Sequence, residues 1–80
     1  MIYRVGQVWE RDGKRRRIDR VRWFTSGGYP FDVESVDASV KHTHDYEIRW
    51  SRPDGKQAQS PALAKFHEWA QGATLIGGAA

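Results

Sequence analysis

The densest concentration of chemistry in this chain is Lys14-Arg15-Arg16-Arg17, with Arg20 and Arg22 close behind. A guanidinium is a planar, forked donor that matches phosphate and carboxylate oxygens. On an extended segment Arg15 and Arg17 share one face. With Lys14, Arg20 and Arg22 they make a basic ridge that can follow a phosphate backbone. Tyr29 sits in the loop Thr25-Ser26-Gly27-Gly28-Tyr29-Pro30 and is the exposed aromatic that would stack on a base beside that ridge. Lys14, Arg15, Arg17, Arg20, Arg22 and Tyr29 are therefore the candidate nucleic-acid-binding residues. The plainer alternative is a solvated hairpin whose charges guard against strand pairing between chains.

His42-Thr43-His44 sets two imidazoles on one face of a strand, with Asp45 and the distant His67 as further donors. That spacing can chelate zinc or nickel. It fixes no third ligand in space, so no metal is assigned. Signs of catalysis are missing from the sequence: it has no phosphate-cradling glycine loop, no nucleophile elbow and no cysteine. Asp12, Asp32, Asp45 and Glu47 are scattered among cations, where nothing would desolvate them. The expectation is a non-enzymatic binding protein without cofactor or small-molecule substrate.

Charge is distributed unevenly. Of the 80 residues, the first 24 carry eight Lys or Arg against three Asp or Glu, and the rest carry five against seven. That asymmetry points to an anionic partner. Four Trp, three Tyr and three Phe argue for a packed domain and against a solvated tail. No apolar run is long enough to span a bilayer and no secretory signal is visible, so the expected compartment is the cytoplasm. The absence of cysteine excludes disulfides.

The elements that must position these residues are mostly strands. Val5 to Arg11 reads as a strand, Asp12-Gly13 as a type I′ hairpin turn, and Lys14 to Phe24 as the returning strand. Ile18 and Val21 are three apart, whereas Val21 and Trp23 are two apart. If all three face the core, one extra residue near Asp19-Arg20 makes a β-bulge and bends the strand. Phe31 to Val36 reads as a strand with Phe31 and Val33 on one face. Asp37 to His42 is polar and reads as a turn. Thr43 to Trp50 alternates cleanly, with Tyr46, Ile48 and Trp50 on one face. Lys56 to Gln59 is a short strand candidate. Ser60 is placed to cap a helix, Pro61 to open it, and Gly72 to end it in a left-handed conformation. Leu63, Phe66 and Ala70 form its apolar stripe, flanked by Trp69. Ala73 to Ile76 returns as a final strand.

The segments Val5-Gly6-Gln7-Val8-Trp9, Asp12-Gly13 and Ile18–Val21, with Leu63–Phe66, Trp69-Ala70 and Ala73–Ile76, resemble small SH3-like proteins encoded by bacteriophages and prophages. The resemblance spares the middle from Tyr29 to His44. It implies a barrel-like sheet closed by a terminal helix and strand, in a phage or prophage setting, and it implies no activity. The expected fold is mainly β: a small SH3-like barrel, or a strongly bent antiparallel sheet of five to six strands, with one short C-terminal helix. One domain is expected over 1–76, with 77–80 a disordered tail. Most of the tryptophans are expected in the core. Trp9 is the exception: if Val8 faces inward, alternation turns Trp9 outward as a protein-binding surface. The leading function is contact with an anionic partner such as nucleic acid. The alternative is a protein–protein or virion-assembly module, self-associating through Trp9, Tyr29 or an open strand edge.

Overall fold

A computed structural model describes residues 1–39 and 42–78. Seven strands and one helix follow in chain order: β1 Ile2–Arg4, β2 Val8–Arg11, β3 Lys14–Phe24, β4 Pro30–Val33, β5 Ser35–Asp37, β6 Tyr46–Ser51, α1 Leu63–Ala70 and β7 Thr74–Gly77. A single 3-10 turn, Thr43–Asp45, precedes β6. The fold is mainly β, in two antiparallel sheets, and no barrel closes among the described residues.

The long strand β3 organises the larger sheet. Its first half pairs with β2 and its second half with β4, while β6 runs along the opposite edge across both. β7 adds to the free side of β2. The smaller sheet pairs β1 with β5. The β2–β3 turn is the expected one: Asp12 and Gly13 both have positive φ, 51° and 77°. The β-bulge is also where the spacing puts it. Ile18 pairs with Trp50 and Arg20 with Arg49, leaving Asp19 as the extra residue. It turns Ile18 and Val21 inward together, and both are fully buried.

The core joins Ile18 and Val21 to Tyr3, Trp9, Ile48, Trp50, Leu63 and Phe66. Tyr3 meets Trp9 and Phe66 edge-on, at 5.5 and 5.3 Å between ring centres. Gln7 is buried among them and satisfied. Its Oε1 accepts from the Arg4 amide at 3.0 Å and from Trp9 Nε1 at 3.1 Å.

Several expectations change. Val5 to Arg11 is not one strand, because the chain turns at Val5-Gly6 and β1 lies before it, carrying the core residue Tyr3. Trp9 faces inward and is buried, because Gln7 and Trp9 take the core side of β2 while Val8 takes the other. Trp23 and Phe31 are 38% and 53% exposed. An eleven-residue strand reaches about 36 Å when extended, whereas an eight-residue helix covers only about 12 Å. The far end of β3 therefore runs out from under the helix. Helix α1 starts at Leu63, with Ala62 and not Ser60 at its cap. Residues 59–62 are held extended against β6: Gln59 and Trp50 exchange backbone hydrogen bonds of 2.8 Å, and Ile48 donates to the Pro61 carbonyl at 2.9 Å. Sheet pairing thus overrides the local capping preference. Of the Lys56–Gln59 strand, only the Gln59 bridge forms. Gly72 is not among the positive-φ residues, so it ends the helix without a left-handed step. Gly77 pairs with Val8, so the packed chain extends past 76; residues 79–80 lie outside the described residues, as do 40–41 of the Asp37–His42 turn. His42 and His44 lie on and beside the 3-10 turn and not on a strand.

Candidate functional site

The outward ridge forms, but its charges are answered. Arg15 Nε lies 2.8 Å from Glu10 Oε2, Arg17 Nε 2.9 Å from Asp19 Oδ1, and Arg22 Nε 3.3 Å from Asp32 Oδ1. Arg20 reaches Glu47 at 3.6 Å. Arg17 also donates to Ser51 Oγ and to the Pro53 carbonyl. Such surface pairs add little stability, but they cancel the field that would draw in a phosphate. Lys14 is exposed at the hairpin end without a carboxylate within 4.0 Å among the described residues. Tyr29 is 70% exposed and lies at the opposite end of β3, away from Lys14. Trp9 is buried and contributes no surface.

Uncompensated charge lies on the other face of the hairpin. Arg16 is two positions before Ile18, so alternation turns it to the core side of β3. There it stops at the rim. Its Cζ lies 4.0 Å over the Trp50 ring and 4.1 Å over the Trp69 ring. A guanidinium stacked on two indoles gains cation–π attraction while keeping its in-plane N–H donors. No carboxylate of the described residues lies within ion-pair distance of Arg16, in contrast to Arg15, Arg17, Arg20 and Arg22. Burial, and then the like charge of Arg11, hold its pKa below the ordinary arginine value. Arg16 nonetheless stays cationic at neutral pH.

Arg11 is held beside it by a close approach. Its Nη1 donates to the Trp69 carbonyl at 2.9 Å. A Cβ on Gly72 would stand 3.0 Å from Arg11 Nε, so glycine leaves the room this side chain occupies. A hollow of about 370 Å³ opens here between Arg11, Arg16, Lys65, Trp50 and Trp69. A narrower one of about 150 Å³ shares Arg16, Trp50 and Gln59 with it and adds Lys14, Arg15 and Arg52. A third, of about 400 Å³, continues past those three cations to Pro53 and Asp54. The shared walls make one trough from α1 to the hairpin tip. Six cations and the carboxylates Glu68 and Asp54 line it. Arg15 is paired with Glu10 and Arg11 lies 3.9 Å from Asp12, whereas Lys14, Arg16, Arg52 and Lys65 have no carboxylate within 4.0 Å among the described residues. Trp50 Nε1, buried in its floor, has no hydrogen-bond partner among the described residues.

Arg16, Trp50 and Trp69 form a unit that is not among the candidate residues expected from sequence. The signal available was the phase of β3, since any residue two before a buried Ile18 shares its face. Nothing in the sequence announced that Trp50 and Trp69, on β6 and α1, would meet there.

Comparison with protein-family models, with curated proteins and with solved structures finds no match for this chain. Among the described residues no helix is long and apolar enough to cross a membrane.

Proposed function

We propose that this protein is a small non-enzymatic binding module that takes single-stranded nucleic acid in the trough between α1 and the β2–β3 hairpin. The observation that carries the reading is Arg16, stacked on Trp50 and Trp69 with no carboxylate partner beside it. Arg11 and Arg16 are like charges that disfavour one another, only partly offset by Asp12 at 3.9 Å from Arg11, and a bound anion would relieve that repulsion. Phosphate oxygens suit that fork geometry. Trp69 remains partly exposed beside Arg16, so a base could stack on the Arg16–Trp69 edge of the trough, and stacking of this kind is indifferent to sequence. Lys14, Arg15 and Arg52 extend the cationic track along the strand's path. The basic hairpin is thus the binding element, with its inner rim and not its outer ridge as the contact.

The test is fluorescence anisotropy of labelled single-stranded RNA and DNA at several salt concentrations. Binding should weaken with salt by about 0.7 in log K per log salt for each phosphate neutralised. Affinity for neither strand at low salt contradicts the proposal.

A second reading rests on a separate observation. Trp23 on β3 and Phe31 on the edge strand β4 lie 6.0 Å apart between ring centres and are both exposed, as is Tyr29 just before β4. Apolar patches on open edges serve protein–protein contact. Self-association there would be indifferent to salt or strengthened by it. Sedimentation at two salt concentrations separates it from the first reading.

A further inference from the structure

The 3-10 turn before β6 does something that the strand expected there would not. On a strand, His42 and His44 share a face and Asp45 points away. In a 3-10 turn, positions three apart eclipse one another, so Asp45 returns to the side of His42. The Asp45 amide donates to the His42 carbonyl at 2.9 Å and closes this turn. As a result one donor atom from each of His42, His44 and Asp45 lies within 4.8 Å of the others.

We propose that His42, His44 and Asp45 bind a divalent transition-metal ion of the zinc class. Two imidazole nitrogens and one carboxylate oxygen are a borderline donor set, which suits zinc, nickel or copper and not calcium or magnesium. Tetrahedral zinc with bonds near 2.05 Å requires donors about 3.3 Å apart. His44 Nε2 and Asp45 Oδ1 are already 3.2 Å apart. The two imidazoles stand edge-on at 5.9 Å between ring centres. Both histidines are exposed, so rotating them into place costs no packing. The turn itself is anchored, because the Tyr46 amide donates to the Thr43 carbonyl and β6 follows directly.

Three protein ligands leave a coordination position open, as in zinc sites that exchange a ligand. A cavity of about 580 Å³ adjoins the turn, lined by His42, Asp45, Tyr46, Trp23 and Phe24 together with Thr25 and Ser26. The open position would be filled by water or by a small oxygen ligand held in that cavity. This site lies at the opposite end of β3 from the Arg16 trough, and its fate is independent of nucleic-acid binding.

The experiment is zinc chloride titration of the whole chain, followed by calorimetry and by imidazole NMR. The expected result is one zinc per chain, with the ring resonances of His42 and His44 moving together and those of His67 unmoved. His42→Ala, His44→Ala and Asp45→Asn should each weaken binding at least about tenfold, no less than the loss of an outer-shell partner does. All three positions are outside the core, so circular dichroism should show the variants folded. Zinc that moves the His67 ring alone overturns the proposal. So does an Asp45→Asn variant that binds as the wild type does, because a two-histidine contact is not the three-ligand site.

Discussion

The Arg16 guanidinium lies 4.1 Å over the ring of Trp69, joining β3 to α1 through a contact that neither element makes alone. The same guanidinium lies 4.0 Å over Trp50 on β6. Three elements distant in sequence therefore meet at one cation. Because that cation has no carboxylate partner, the contact is a structural clamp and, in the function proposed above, the anion site as well.

Arg16→Ala should lower stability by about 1 kcal/mol, the scale of a partly desolvated cation–π contact. It should also weaken oligonucleotide binding and reduce the salt slope by about one phosphate. Arg16→Lys should restore charge without the planar stack and recover only part of the affinity. Urea denaturation and anisotropy measure the two effects separately.

Gly72→Ala should leave the fold intact, since the backbone there is outside the left-handed region. The added methyl would press on Arg11 and displace it from the Trp69 carbonyl. The expected outcome is weaker anion binding with a melting temperature close to that of the wild type. Unchanged affinity would show that the position of Arg11 is immaterial.

Deleting Asp19 removes the bulge but leaves Ile18 and Val21 two positions apart, so both keep the core face and their pairing with Trp50 and Ile48. What is lost is the local bend and twist that the extra residue supplies. We expect the deletion variant to stay folded at about 25 °C by circular dichroism with a lowered urea midpoint, whereas Asp19→Asn, which loses only the Arg17 pair, should keep a midpoint near that of the wild type.

Tyr3 links the first strand to the helix. Its hydroxyl is 2.5 Å from His67 Nδ1, and burial pushes its pKa up from 10.0 to about 12. Folding therefore favours the protonated phenol. That contribution is complete below pH 10 and is lost as pH rises from 10 towards 12. Tyr3→Phe should cost about 1 kcal/mol at neutral pH through the lost hydrogen bond. It should also flatten the alkaline fall in stability, read from urea midpoints across that range.

Where neighbouring residues settle a feature, the sequence was a sufficient guide. Asp12-Gly13 specifies its turn by backbone sterics, the Ile18–Val21 interval specifies the bulge, and Leu63, Phe66 and Ala70 specify the buried helix face. Features settled by distant partners were not legible. The inward side of β2 is the one on which Trp9 meets Tyr3 of β1, so the phase assumed from Val8 is the wrong one. The start of α1 is delayed by the pairing of Gln59 and Pro61 with β6. The exposure of Trp23 depends on how far the helix reaches. For the proposed site, the charge asymmetry points to the hairpin. Which of its arginines are neutralised depends on Glu10, Asp32 and Glu47, contributed by three other strands.

The most direct measurement compares single-stranded oligonucleotide affinity for Arg16→Ala with that for Arg22→Ala, at low and at physiological salt. Arg22 is a ridge residue already paired with Asp32, whereas Arg16 is an unpaired cation of the trough, stacked on its tryptophans. The account predicts at least about a tenfold loss for Arg16→Ala and near-wild-type binding for Arg22→Ala, a gap of about 1.4 kcal/mol. Equal losses, or a larger loss at Arg22, would place the contact on the outer ridge and contradict the assignment of the trough.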